Sequence, residues 1–328
     1  MDTFITRKIK SNKIYNYYEY DKIIKDKMLL AKIANVYIPP AYTDVKIYLN
    51  KRLLATGVDS AGRTQYIYSD YSKKEREEKK RSQLMKLSAN INRLKKKIKN
   101  DLLETDFTKN KLVALVLKIM DLCNFRGGNK DYEKKYGSYG LTTVHKKHLK
   151  IKKKSIEFDF IGKKGINNHC IIENKEIQKI VEKVYKLSSK EDPYLFSIKY
   201  NGQIINVSIL DLNKYLEQFD ITCKDLRTWN ANMIFLKNVK KELNSLDESY
   251  FLENNEKKLK IKKKLIREAI KNTASSLHHS PTICKSSYIF KEIIEQIESG
   301  EKNDKIIIRL KENNINLEDF LNISFRKR

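Results

Sequence analysis

A histidine and a tyrosine lie nine residues apart near the C-terminus, in the stretch HSPTICKSSY from His279 to Tyr288. An apolar, helix-like pattern ends just before this stretch and another begins inside it, and Pro281 excludes a simple continuation of one helix. A tyrosine hydroxyl has an unperturbed pKa near ~10, so it is a poor nucleophile unless its surroundings stabilise negative charge. Because the chain contains 19 tyrosines, this stretch alone predicts an ordinary half-buried side chain at Tyr288. Any chemistry there depends on residues elsewhere in the chain.

Two arginines lie in contexts that could place positive charge beside that tyrosine. Arg126 follows an apolar helical pattern and precedes two glycines, which suit a helix C-cap and a tight turn. Arg227 lies in the segment KDLRTWN, at the start of another helical pattern. An arginine near a helix C-cap usually compensates the helix dipole at the surface, so neither context is decisive by itself.

A lysine lies at the tip of a predicted β-hairpin. Residues 155–160 alternate between polar and apolar side chains, Gly162 and Gly165 flank the turn, and a second strand runs through Cys170. Lys163 at this tip could reach into a site on another element, although most lysines at hairpin tips face water.

In this order and in these contexts, five residues resemble the active site of type IB DNA topoisomerases. They are Arg126, Lys163, Arg227, His279 and Tyr288. The resemblance is nearer to the small poxvirus-type enzymes than to the large nuclear ones. It covers nearly the whole chain, including the segments YIPPAYTDVKIYLN and LLATGVDSAGRTQYIY. One departure is Cys284, where a serine is usual, and the stretch Asn129–Leu141 aligns less cleanly.

The resemblance implies a reaction in which Tyr288 attacks a DNA phosphodiester, leaving a 3′-phosphotyrosine link and a 5′-hydroxyl strand. Arg126 and Arg227 would stabilise charge on the non-bridging oxygens, because each guanidinium is a planar and permanently charged fork. His279 would donate a hydrogen bond to one of these oxygens, and Lys163, helped by Arg126, would be the general acid. Strand rotation would relax supercoils. Religation would need neither ATP nor metal, so no cofactor and no metal site are expected.

The resemblance also implies DNA contacts outside the chemistry. Gln65, Tyr66 and Tyr68 match positions of the N-terminal region that touch the major groove. Tyr132 and Lys224 match DNA-contacting positions of the catalytic region. Members of this size recognise a short pyrimidine-rich target and act as monomers, so a monomer on duplex DNA is expected.

The charge balance agrees with a nucleic-acid partner. The chain has 68 Lys and Arg residues against 41 Asp and Glu residues, a formal net charge of +27, which predicts salt-sensitive binding to a polyanion. An anionic membrane surface is the alternative partner. However, no run approaches the ~18 apolar residues of a membrane span, and the first residues lack an apolar signal core. No membrane partner is therefore expected.

The four cysteines are scattered along the chain without a CxxC pair. They are Cys123, Cys170, Cys223 and Cys284. With no signal peptide, this pattern predicts an intracellular protein with reduced thiols. If the protein is viral, as the poxvirus-type resemblance implies, its expected locations are the cytoplasm of the infected host cell and the virion. His145 and His148 could share a helix face, but no cysteine or carboxylate at ligand spacing accompanies them, so a zinc site is not predicted.

Two domains are the expected division of 328 residues. Residues 1–75 are predicted to form an antiparallel β-rich domain, and residues 76–328 a mainly helical catalytic domain that contains the hairpin. A charged run, SKKEREEKK at residues 72–80, marks the boundary. The predicted fold class is therefore α+β, and the resemblance implies a C-shaped clamp on duplex DNA.

Helices in the second domain are predicted from apolar residues at spacings of three and four. One such stripe consists of Leu84, Leu87, Ile91, Leu94 and Ile98. Three further helices are expected after Tyr288, at residues 291–299, 305–312 and 317–325.

The segment from Gly57 to Thr64 nearly matches the phosphate-binding pattern GxxxxGK[ST]. Arg63 replaces the lysine of that pattern, and a strand-like run follows where a helix would be needed. A turn between two strands is therefore predicted instead of a nucleotide-binding loop.

Two other functions remain open. A tyrosine recombinase or integrase uses the same fold and nearly the same residues, but its signature places His-x-x-Arg where KDLR, from Lys224 to Arg227, stands here. A recombinase also needs a strand-exchange oligomer, for which the sequence offers no dedicated element. The other alternative is a non-catalytic basic DNA-binding protein, against which the intact set of five residues argues.

Overall fold

The computed structural model describes residues 4–11, 14–49, 52–188, 192–247, 249–298, 308 and 310–312. Contacts divide the chain into two compact units, Met1–Arg81 and Ser82–Arg328. The division falls inside one long helix, and each unit has its own hydrophobic core.

The first unit is an antiparallel sheet with one short helix. Its elements are β1 (Ile5–Ser11), β2 (Ile14–Glu19), β3 (Lys22–Ile23), α1 (Lys27–Ala34), β4 (Thr43–Ile47), β5 (Leu53–Val58) and β6 (Thr64–Tyr68), and α2 (Asp70–Leu103) follows. The strands pair in the order β3-β2-β1-β4-β5-β6, and every pairing is antiparallel. Alternate residues of β4 and β5 are buried, as expected of strands with one face in a core. The predicted antiparallel β-rich N-terminal region is confirmed.

The segment from Gly57 to Thr64 forms the turn between β5 and β6. The Asp59 carboxylate accepts hydrogen bonds from the backbone N–H groups of Ala61 and Arg63, each at 3.0 Å. The Arg63 side chain also donates to this carboxylate, and that bond is the main reason why the pKa of Asp59 falls to about 2. The predicted turn is confirmed, and the arginine in it binds Asp59 of the same turn.

The second unit is mainly helical, as predicted. After the end of α2 its elements are α3 (Lys109–Cys123), α4 (Lys130–Tyr136), β7 (Leu149–Ile151), β8 (Ile156–Ile161), β9 (Asn167–Ile172), α5 (Lys175–Leu187), β10 (Ser197–Tyr200), β11 (Gln203–Asn206), α6 (Ile209–Glu217), α7 (Cys223–Asn244), α8 (Ser249–Leu252), α9 (Asn255–Ser276), α10 (Pro281–Ser287) and α11 (Lys291–Glu298). Strands β7, β8 and β9 form an antiparallel sheet that contains the predicted hairpin. The helix predicted at residues 291–299 is α11. The one predicted at 317–325, and most of the one at 305–312, lie outside the described residues.

The core of the second unit is built around α3. Residues 112–117 of this helix are buried on every side, as in a helix that passes through the middle of a domain. The five apolar residues of the predicted stripe on α2 face the same core, and none is more than 8% exposed. A buried leucine or isoleucine contributes about 1.5–3 kcal/mol by leaving water. Among the helices of the described residues, none has the length and apolar character needed to cross a membrane.

A disulfide joins Cys123, the last residue of α3, to Cys170 on β9. The prediction of reduced thiols is therefore wrong for this pair, whereas Cys223 and Cys284 are buried thiols. The two bonded cysteines are 47 residues apart in sequence, and β9 packs against α3 so that their Cα atoms lie 5.6 Å apart. Cysteine spacing along the chain cannot reveal such a pair, because a disulfide requires proximity in space.

Candidate active site

The stretch around Tyr288 is a helix break followed by a short helix. α9 ends at Ser276, His278 takes a left-handed backbone conformation with a φ of 52°, and α10 begins at Pro281. Proline suits the first position of a helix, where its missing N–H costs no hydrogen bond. The predicted break is confirmed. It brings the His279 ring almost parallel to the Tyr288 ring, with ring centroids 5.0 Å apart and an angle of 11° between the planes.

Tyr288 lies directly after α10, and its side chain is held between two arginines. It is 9% exposed. Nη2 of Arg126 donates a hydrogen bond to its hydroxyl at 3.4 Å, and the guanidinium carbon of Arg227 lies 5.3 Å from the ring centroid. Burial on its own would raise the pKa of Tyr288, but the charges of Arg227 and Arg126 outweigh it and hold this pKa below its usual value. The site therefore stabilises negative charge on the tyrosine oxygen.

Arg126 follows α3 after a left-handed cap at Asn124, whose φ is 53°. The intervening Phe125 is buried and packs against Phe160 with ring centroids 4.8 Å apart. Arg126 itself is half-buried. The anchored phenylalanine thus fixes the start of the segment that carries the arginine.

The two glycines after Arg126 permit a close approach of two chain segments. A Cβ on Gly128 would lie 2.6 Å from Oγ1 of Thr143, and one on Gly140 would lie 1.7 Å from the carbonyl oxygen of Gly127. The interpretation of these glycines as a helix C-cap is therefore wrong, because the cap is an asparagine and the glycines are needed for space.

Arg227 connects the two halves of the site. It lies in the second turn of α7 and is 7% exposed. Nη1 donates to the carbonyl oxygen of Asn124, and Nη2 donates to that of Leu277. Burial, ahead of the nearby charge of Arg126, lowers the pKa of Arg227. Within the described part of the chain its buried Nε has no hydrogen-bond partner, which leaves one donor for a ligand.

Lys163 lies at the tip of the β8–β9 hairpin and is exposed. It lines a pocket together with Arg126 and Arg227, and the other lining residues are Tyr139, Phe160, Gly162, Asn168 and His278. Since both arginines also contact Tyr288, and the His279 ring stacks on it, the structure brings all five residues of the predicted site together.

His279 presents an unpaired nitrogen to the site. Its Nδ1 lies 3.3 Å from the carbonyl oxygen of Ser280. Its buried Nε2 has no hydrogen-bond partner among the residues that the structure describes. An orphaned buried nitrogen costs free energy unless a ligand satisfies it, so Nε2 is available for an oxygen of a bound molecule.

We expect the His279→Asn variant to lose less stability than the wild-type protein when the pH is lowered. Burial first, and then the charge of Arg227, lower the pKa of His279 to about 4 in the folded chain, below the ~6.5 of an unfolded histidine. The unfolded chain therefore binds more protons between these two values, and stability falls as the pH drops through this window. The free energy of unfolding, measured with urea at several pH values across this window, should change less steeply with pH in the variant. An unchanged slope would contradict the prediction.

The two histidines at which no zinc site is predicted have partners of their own. Nε2 of His145 lies 2.8 Å from a carboxylate oxygen of Glu133, and Nδ1 of His148 accepts from the backbone N–H of His145 at 3.0 Å. Burial is the main cause that lowers the pKa of His148 to about 4. His148→Asn is therefore an independent second test of the same pH dependence.

The residues that were expected to contact DNA lie at several places in the two units. On β6, Gln65 donates to Asp59 at 2.8 Å, Tyr66 is 57% exposed, and the guanidinium carbon of Arg76 lies 3.5 Å from the Tyr68 ring centroid. Tyr132 on α4 is 50% exposed, and Lys224 is exposed in the first turn of α7. In the first unit, Tyr66 is thus more accessible than Gln65.

The structure adds residues that the sequence did not single out. Asn232, fully buried on α7, donates to the carbonyl oxygen of Tyr288 at 2.9 Å and accepts from the backbone N–H of Phe290 at 3.0 Å. Nε2 of His278 lies 3.2 Å from the carbonyl oxygen of Cys123. The available signals were a polar residue inside an apolar helical stripe and a second histidine beside His279.

Comparisons with known proteins agree with this geometry. Residues 69–314 match the model of the eukaryotic DNA topoisomerase I catalytic core. A DNA topoisomerase 1B of Acanthamoeba polyphaga mimivirus is 30% identical over 289 residues, which cover 86% of this chain and 83% of the relative. The DNA topoisomerase 1B of vaccinia virus is 26% identical over 271 residues, or 81% of each chain. The chain therefore belongs to the type IB DNA topoisomerases.

Proposed function

We propose that this type IB topoisomerase cleaves one strand of duplex DNA by attack of Tyr288 on a phosphodiester, relaxes supercoils and reseals the strand. The observation that carries the proposal is the Tyr288 hydroxyl held beside Arg126 and Arg227. A tyrosine whose pKa is lowered by two guanidiniums is prepared to become a phenolate nucleophile.

In the cleavage step, the Tyr288 oxygen forms a bond to phosphorus while the bond from phosphorus to the 5′-oxygen breaks. The tyrosine proton goes to solvent, and Lys163 gives a proton to the departing 5′-oxygen. The products are a 3′-phosphotyrosine and a 5′-hydroxyl. Lys163 fits this role because it shares a pocket with both arginines and because an ammonium can serve as a general acid.

Three side chains stabilise the five-coordinate phosphorus. Arg126 and the free Nε of Arg227 point positive charge at the non-bridging oxygens. His279 supplies a further donor from Nε2 when its ring carries the proton on that nitrogen. In water-poor surroundings, each such donor contributes about 10²–10³-fold to the rate.

Religation reverses the same step. The 5′-hydroxyl attacks the phosphotyrosine, and Lys163 takes back the proton while Tyr288 departs. The covalent link conserves the energy of the phosphodiester, so ATP is not needed, and the charge that a metal would supply comes from the arginines. Between the two steps the free end rotates and supercoils are lost.

We propose a clamp on DNA formed by the two domains, residues 1–75 and 76–328, with the protein acting as a monomer. Gln65, Tyr66 and Tyr68 would contact DNA from the first, and Tyr132 and Lys224 from the second. The exposure of Tyr66 and Tyr132 supports this assignment, since a side chain must be accessible to reach the phosphates, sugars or base edges of a duplex. The viral relatives support a viral protein, for which we propose action in the cytoplasm of the infected cell and presence in the virion.

Relaxation of supercoiled plasmid in EDTA without ATP tests the function. Detergent added during the reaction should trap protein linked to the 3′ end of the nicked strand. A recombinase would form this adduct but would require paired sites for product. A non-catalytic DNA-binding protein would give neither adduct nor relaxation, and that result would overturn the proposal.

We expect duplex affinity to fall steeply with salt. If about six phosphates are neutralised, raising salt from roughly 50 to 200 mM should weaken binding by about 10³-fold. Fluorescence anisotropy with a short duplex measures the slope, and Lys224→Ala should reduce it by about one. A flat response would contradict a clamp that follows the phosphate backbone.

A further inference from the structure

We propose that Asn168 is a positioning residue for Lys163 during DNA cleavage. The inference rests on the proposed role of Lys163 as the general acid. Asn168 lies on β9, opposite Phe160 of β8 in the hairpin register. It lines the same pocket as Lys163, Arg126 and Arg227, although it holds no charge of its own.

The inner face of β9 gives the first reason. Buried and exposed residues alternate along this strand, so that Asn168, Cys170 and Ile172 face inward. Ile172 is 4% exposed and Cys170 is bonded to α3, whereas Asn168 puts an amide into the same face at 8% exposure. A buried amide costs free energy unless its hydrogen bonds are made, so its partner shows what the residue does.

That partner is a backbone carbonyl oxygen at the end of the turn that carries Lys163. Nδ2 of Asn168 donates to the carbonyl oxygen of Ile166 at 2.9 Å, and the backbone N–H of Gly162 donates to the same oxygen at 2.8 Å. The amide therefore braces the bond that closes the turn directly before Lys163.

Gly162 gives the second reason. A Cβ at this position would lie 2.1 Å from Nδ2 of Asn168, a separation that real atoms do not adopt. Its φ of −98° is an ordinary value for any residue, so the glycine is needed for space and not for its backbone conformation. The amide of Asn168 fills the space that a side chain at Gly162 would take, and the two residues together fix where Lys163 begins.

The test changes the leaving group of the DNA, because a defect in acid catalysis depends on the leaving group, whereas a general disturbance of the active-site structure does not. On ordinary DNA, Asn168→Leu should slow single-turnover cleavage by about tenfold to a hundredfold, since a misplacement near 1 Å costs that much. On DNA with sulfur in place of the bridging 5′-oxygen, a thiolate with a parent pKa near ~8.5 departs without an acid. There Asn168→Leu and Lys163→Ala should both cleave at close to the wild-type rate. Asn167→Leu, on the exposed face of the same strand, is the matched control and should behave as wild type on both substrates.

Gly162→Ala carries the same test if Asn168→Leu does not fold, because the new methyl group displaces the amide from the other side. Rescue of Lys163→Ala without rescue of the Asn168 or Gly162 variant would overturn the positioning role and leave the general acid intact. So would wild-type cleavage of ordinary DNA by these variants. Failure of the sulfur substrate to rescue Lys163→Ala would remove the general-acid assignment, and the proposal for Asn168 with it.

Discussion

Tyr288→Phe is expected to abolish supercoil relaxation and the covalent protein–DNA adduct, with a loss of at least about 10⁴-fold in cleavage rate, as for loss of a covalent nucleophile in other enzymes. The change removes one oxygen and keeps the ring, which stacks on His279 and lies beside Arg227. The 3.4 Å hydrogen bond from Arg126 and the interaction of the hydroxyl with the Arg227 guanidinium are lost in the free protein. Single-turnover cleavage of a labelled duplex and plasmid relaxation both measure the effect.

Duplex affinity and folding should survive that substitution. The phosphate would still meet two guanidiniums, so the dissociation constant should remain within about threefold. Tyr139→Phe is the control, because Tyr139 lines the same pocket but has no part in bond formation. Relaxation by Tyr288→Phe at a wild-type rate would show that another residue attacks the DNA. Equal inactivation by Tyr139→Phe would show that the assay reports damage to the pocket.

The residues of the candidate site could be predicted from the sequence, but the contacts that hold them in place could not. The resemblance to type IB topoisomerases, carried by the order and contexts of the five residues together, identified Tyr288, His279 and the three basic residues, whereas each local context alone predicted an ordinary structural role. Pro281 marked a helix break from its own covalent geometry. Asn232 offers only the signal of a polar residue inside an apolar helical stripe, which does not reveal its partners. Its two bonds to the backbone around Tyr288 join segments more than fifty residues apart, and only the packing of α7 against the C-terminal segment creates them.

Two interpretations of the sequence were wrong, the helix cap at the glycines and the reduced state of two cysteines, and both have the same physical origin. Gly127 and Gly128 follow a helix and therefore suggested a cap, yet space beside the side chains of Ile209 and Thr143 is what requires them. Cys123 and Cys170 lack a local pairing pattern, but the hairpin packs on α3. Both depend on contacts between distant segments, which local periodicity does not encode. The strands, by contrast, follow from alternation and turn residues, so the antiparallel N-terminal sheet and the hairpin were predictable.

Arg227→Ala is expected to lower both the cleavage rate and the free energy of unfolding, and the loss of stability distinguishes Arg227 from Arg126. In the free protein its guanidinium donates to the carbonyl oxygens of Asn124 and Leu277. These carbonyls lie just before the segments that carry Arg126 and His279. Each carbonyl left unpaired in a buried site costs about 1–3 kcal/mol, so urea unfolding should show a loss of about 2–5 kcal/mol.

The cleavage rate of Arg227→Ala should fall by at least about 10²–10³-fold, because a donor to the phosphate is lost and its two neighbouring segments lose their shared anchor. Arg227→Lys should keep the charge but not the planar fork, so it should recover part of the stability and little of the rate. Arg93→Ala is the matched control. Arg93 also donates to a backbone carbonyl, that of Gln218, but at an exposed place. If Arg227→Ala slowed cleavage no more than Arg93→Ala does, Arg227 would have no part in the reaction. If it lowered the free energy of unfolding no more than Arg93→Ala does, Arg227 would not join the two segments.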